Sequence, residues 1–128
     1  MAEPTPFPKI RRLVTRHLNE RLMRFGFSQF GSSNYFIRDR GPVRDAMFFQ
    51  KMRSHAVTIA YGVSLVPVGD DWSPGLRHHR WLSDQRFYAV KYEEDVAPSI
   101  NRALDEFERE ALHYFTRFQT TADVSSVA

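Results

Sequence analysis

Cysteine is absent from the 128 residues of this chain, so no disulfide, thiolate metal site or cysteine nucleophile can form. The redox compartment is left open by the same absence. Lysine is scarce, with three residues against fifteen arginines, and the formal net charge of +3 is a small excess of strongly basic groups. That excess alone does not call for a nucleic-acid partner. No run approaches the roughly 18 consecutive apolar residues of a membrane helix. The opening "MAEPTPFPKIRR" has no apolar targeting core. A cytoplasmic protein without a membrane partner is expected.

Sequence signatures of chemistry are also missing. GxGxxG and GxxxxGK(S/T) are absent, which removes support for nucleotide-dependent reactions, and no GxSxG or SxxK marks a nucleophile. HxH, HxxxH and HExxH do not occur. The sequence therefore implies no cofactor and no metal.

What is present describes a folded domain. The chain is 42% hydrophobic and 26% charged, with eleven phenylalanines, which predicts one globular domain over 1–128 with an aromatic core. Prolines 4, 6 and 8 suit an extended lead-in to a helix starting near Pro8. Ile10, Leu13, Val14, Leu18, Leu22 and Phe25 then follow helical spacing up to Gly26, a C-terminal stop. Arg21 falls inside this apolar arc, and its long stem predicts snorkelling to the rim in preference to a carboxylate partner.

Short aromatic runs separated by Gly-Ser-Ser-Asn and Arg-Gly-Pro predict strands near 34–39 and 45–52. "AVTIAYGVSL" alternates most clearly, with Val57, Ile59, Tyr61, Val63 and Leu65 on one face. Ala56, Thr58, Ala60, Gly62 and Ser64 form a small face, expected to be solvated or crossed by Phe48 or Phe49. "VPVGDDWSPGLRHH" reads as the longest loop, and "RFYAVKY" as a weak last strand. In "EEDVAPSINRALDEFEREALHYFTRF", Ile100, Leu104, Phe107, Ala111, Tyr114, Phe115 and Phe118 share one helical stripe, with Asp95 or Ser99 as cap. An ordered core of about 8–118 is predicted, and the polar tail 119–128 gives no reason to order. The expected architecture is α+β: an antiparallel sheet of four or five strands, with the N-terminal helix and a long C-terminal helix packed on one face.

Two segments carry a resemblance. "LMRFGFSQFGSSNYFIR", followed by "MFFQKMRSHAVTIAYGVSL", is similar to the bacterial proteins grouped as domain of unknown function 4304. The similarity lies in Phe25-Gly26-Phe27, Tyr35-Phe36-Ile37-Arg38, Phe49-Gln50-Lys51 and the strand from Val57 to Leu65. It covers roughly residues 10–66 and implies a compact α+β fold with no assigned activity.

The one concentration of chemistry-bearing residues is "GLRHHRW" with the loop before it. His78 and His79 are adjacent, so in extended chain they diverge and do not share a metal. Asp70 and Asp71 with a histidine would suffice for acid–base chemistry in a small enzyme, although Asp-Asp before Trp-Ser-Pro is ordinary turn composition. Trp72, Arg77, His78, His79, Arg80 and Trp81 suit a contact surface, because Trp and Arg are enriched where binding energy concentrates. The leading expectation is a non-enzymatic protein-interaction module, including an immunity-type role. A nucleic-acid-contacting accessory protein is the alternative.

Overall fold

The computed structural model describes residues 3–66 and 76–126. Helix α1 (Phe7–Leu22) starts with Pro8 in its first turn and passes into a single 3-10 turn, Met23–Phe25. Gly26 ends it with φ +86°, a left-handed conformation that glycine adopts without a Cβ penalty. The strands are β1 (Ser28–Gln29), β2 (Tyr35–Arg40), β3 (Val43–Met52), β4 (Ala56–Leu65), β5 (Arg77–Trp81) and β6 (Tyr88–Ala89). Helices α2 (Glu93–Phe115) and α3 (Thr121–Ser125) complete the chain.

All strand pairs are antiparallel, in the order β1-β2-β3-β4-β5, with β6 beside β5 on the same edge of β4. The expected α+β architecture is thus present, with five strands in line and a sixth of two residues. Gly41 and Pro42 make the two-residue β2–β3 turn, and φ +63° at Gly41 supplies the positive φ that such hairpins use to match strand twist.

Val57, Ile59, Tyr61 and Val63 project toward the helices and are buried, while Leu65 at the strand end is 36% exposed. Tyr61 sits edge-on to Phe107, Tyr114 and Phe115, so the aromatic stripe of α2 locks onto the sheet's long central strand. Ile10, Val14, Leu18 and Leu22 of α1 join the same core, and Phe27 meets Phe107 and Phe115.

Several expectations need correction. Arg21 does not snorkel to a free rim: Nε donates to Glu108 at 2.9 Å and Nη2 donates to Asp105, which ties α1 to α2. These carboxylates raise its pKa, the Glu108 hydrogen bond most of all. Of the two expected caps of α2, Asp95 caps the helix start from the N3 position and Ser99 does not. The helix starts after Tyr92, whose N–H donates to the Asp95 carboxylate at 3.0 Å, and Ser99 donates to the Ala89 carbonyl. The segment "RFYAVKY" contributes only the two residues of β6, while part of the expected loop is strand β5.

The tail is also ordered within the described residues. Thr120 caps α3 by accepting from the Asp123 N–H, and Val124 is fully buried. Composition gave no warning, because one buried valine decides the docking of an otherwise polar segment. Of the two expectations for the small face of β4, the covered one holds and the solvated one does not: Ala56, Thr58, Ala60 and Ser64 are buried, and the Thr58 hydroxyl donates to the Arg86 carbonyl at 3.1 Å.

Candidate binding face on the sheet

Strand β5 is "RHHRW", and its alternation divides the residues that sequence reading had grouped. Trp81 pairs with Ala60, whose side chain is on the sheet face away from α1 and α2; Arg80 pairs with Tyr61, on the helix side. Between these pairs and Arg77–Val63 the register shifts in a bulge, where His78 has φ +52°.

The bulge has specific anchors. The Tyr114 hydroxyl donates to the His78 carbonyl at 2.9 Å, and His78 Nε2 lies 3.0 Å from the Val124 carbonyl. A carbonyl only accepts, so Nε2 carries the proton and donates. The imidazole also lies against Phe118, with ring centroids 4.6 Å apart. His78 therefore fastens α3 to the sheet. Arg80 covers the Tyr114 ring at 4.2 Å. Neither residue shares a surface with His79.

His79 and Trp81 do share one. Their rings meet edge-on at 5.2 Å, and Phe48 of β3 reaches both, stacked on His79 at 6.3 Å and edge-on to Trp81 at 6.2 Å. Tyr35 of β2 extends the row, 4.9 Å from Phe48. Because β4 separates β3 from β5, these rings can meet only across side chains as small as Ala60 and Gly62. At Gly62 a Cβ would lie 3.0 Å from the Arg77 carbonyl oxygen and 3.3 Å from His79 Cα, so only glycine lets β5 curl this closely over the sheet.

The row is half-buried at Tyr35, Phe48 and Trp81 and exposed at His79. Arg77 is exposed and has no carboxylate partner among the described residues, but its pairing with Val63 puts it on the helix side with Arg80, while Arg44 on the ring face is engaged by Asp39 at 2.6 and 3.0 Å. Of the residues expected in a contact surface, His79 and Trp81 lie on this face and Arg77, His78 and Arg80 do not. Phe48 leans across the small residues of β4, as that run of small residues led one to expect, and Tyr35 is the member that sequence reading did not reach. Trp72, Asp70 and Asp71 lie outside the described residues, so the expected loop contact and the loop-carboxylate enzyme reading fall there.

Other polar groups are structural in their geometry. Glu106, buried in α2, accepts from the hydroxyls of Ser83 and Tyr88, with Arg102 and Arg86 at 3.5 and 3.6 Å. Burial alone would raise the Glu106 pKa, but the Ser83 and Tyr88 hydrogen bonds and the two arginines together hold it below its ordinary value. Ser83, Asp84 and Gln85 run at positive φ, a left-handed turn secured by Ser83 N–H donating to Glu110 at 2.9 Å. Among the described residues no group of three or more histidine, aspartate or glutamate side chains converges as metal ligands would. No helix among them is long and apolar enough to cross a membrane. No family model, curated protein or solved structure matches this chain.

Proposed function

We propose that this protein is a non-enzymatic interaction module that binds a partner protein through Phe48, His79 and Trp81. The observation that carries this reading is the meeting of rings from β3 and β5 across the small residues of β4, at a half-buried level. Rigid aromatic side chains lose little conformational entropy on binding and supply large contact area. The partner surface that fits presents an apolar side chain to these rings. A toxin-neutralising, immunity-type role belongs to this class of function. The resemblance to the domain of unknown function 4304 group is consistent with it and brings no catalytic residue.

A photo-crosslinking amino acid at position 81, in the cells that make the protein, tests the reading against the same probe at exposed Arg109 on α2. A discrete, nuclease-resistant protein adduct from position 81 alone is expected. A nuclease-sensitive adduct, or the same adducts from both positions, contradicts it.

A further inference from the structure

At the sheet edge opposite β5, α1 and the turn joining β1 to β2 enclose an open groove of about 560 Å³. Its walls include Arg11, Arg12, Arg16, Asn19, Met23 and Ser32. Arg11 is held in place: Nε donates to Asn34 Oδ1 at 2.7 Å and Nη2 to the Ser32 carbonyl at 2.6 Å. Arg12 and Arg16 stand one helical turn apart, exposed, without a carboxylate partner among the described residues. A like-charged pair at that spacing weakens an isolated helix slightly, so helix stability does not account for the arrangement. Elsewhere on α1 the positive charges are matched, Arg21 by Asp105 and Glu108 and Lys9 by Glu93. Among the described residues Glu20 is the single acid lining the groove, against three guanidinium groups.

We propose that this groove is a binding site for a phosphate ester of mononucleotide size. The size lies within the roughly 300–1,000 Å³ typical of small-ligand sites. Guanidinium groups match phosphate oxygens in bidentate geometry, and a pre-fixed one loses less freedom on binding. Met23, 68% exposed, and the arginine stems give an apolar bed for the rest of the ligand. Such a phosphate belongs either to a free nucleotide or to the backbone of a single strand.

Calorimetric titration of the full chain with adenosine monophosphate, and separately with a short oligothymidylate, tests the site. Saturable binding of at least one is expected, weakened at least about tenfold in Arg12→Gln/Arg16→Gln and unchanged in Trp81→Ala. Both arginines are exposed, so the double variant should melt as the wild type does. Binding of the monophosphate identifies a free ligand. Binding of the oligonucleotide alone, falling steeply with salt, identifies a backbone; either upholds the site. Absence of saturable binding to both, survival of binding in the double variant, loss of it in Trp81→Ala, or tighter binding of a glutamate-rich peptide overturns the proposal.

Discussion

Asp45 is fully buried in β3 and faces Arg38 and Arg40 of β2; its carboxylate accepts four hydrogen bonds from their guanidinium groups, at 2.7 to 2.9 Å. The same arginines terminate both long helices. Arg38 Nη1 donates to the Phe25 carbonyl at the end of α1, and Arg40 Nη2 to those of Phe115 and Phe118 at the end of α2. Carbonyls left unpaired by a helix end, and its negative dipole, are thus met by cations that one buried carboxylate holds in position.

Removing that carboxylate should leave two arginines facing each other without compensation. Breaking a buried pair costs about 3–5 kcal/mol, and because the Arg38 and Arg40 side chains stay 23% and 25% exposed, Asp45→Ala should fall near the lower end. Denaturant unfolding measures this. A loss below about 1 kcal/mol, the level of an ordinary surface ion pair, would mean the cluster does not hold the helix ends.

Two buried tyrosines make opposite predictions. The Tyr61 hydroxyl is buried and makes no hydrogen bond of good geometry among the described residues, with Glu110 and Arg80 only nearby, so Tyr61→Phe should be neutral or stabilise by up to about 1 kcal/mol. Tyr88 donates to Glu106 at 2.5 Å, so Tyr88→Phe should destabilise by about 1.5–3 kcal/mol. Equal melting shifts for the two would contradict this assignment.

Stability should also decline at both ends of the pH range. Burial pushes the Tyr61 phenol up to about 12, reinforced by the Glu110 carboxylate, and burial pushes Tyr88 up as well, reinforced by Glu106. The fold retains these protons while the unfolded chain loses them at about 10, so stability falls as pH rises above about 10. The depressed Glu106 acts in the other direction. Its contribution is complete above the unfolded glutamate value of about 4.3 and is lost as pH falls through the lower folded value. The stability gap between wild type and Glu106→Gln should therefore shrink as pH falls below about 4; a gap constant down to acid pH would remove the role given to this carboxylate.

Helix α3 is predicted to stabilise the domain although it is short. Val124→Asp places a charge at a fully buried site beside the His78 anchor and should cost about 2–4 kcal/mol, or release α3 altogether. Amide exchange distinguishes the two outcomes. Unchanged protection in β5 and unchanged melting would show that the tail only rests on the surface.

Local periodicity made much of this fold legible. The stripes of α1 and α2 and the alternation of β4 each lie within one segment, so their buried faces follow from spacing alone. Strand β5 did not, because its bulge at His78 breaks the alternation and turn residues precede it. Burial of Val124 depends on His78 and Phe118, distant partners invisible to composition. The Asp45 cluster carried a readable signal: a tight turn at Gly41-Pro42 sets Arg38 opposite Asp45 in the hairpin. The candidate face was half legible. Trp81 and His79 stood out by residue type and the small residues of β4 pointed to Phe48 leaning over them, but that the three meet, with Tyr35 beside them, followed only once β3 and β5 were placed on either side of β4.

The affinity of Trp81→Ala for the protein captured through position 81 tests the account most directly, with Arg109→Ala as control. Trp81 sits at the centre of the ring contacts, so its truncation should weaken binding by about 2 kcal/mol or more, roughly thirtyfold, while the variant remains folded at the assay temperature. Arg109→Ala should bind as wild type. Unchanged affinity in folded Trp81→Ala would contradict the claim that this face is the binding surface.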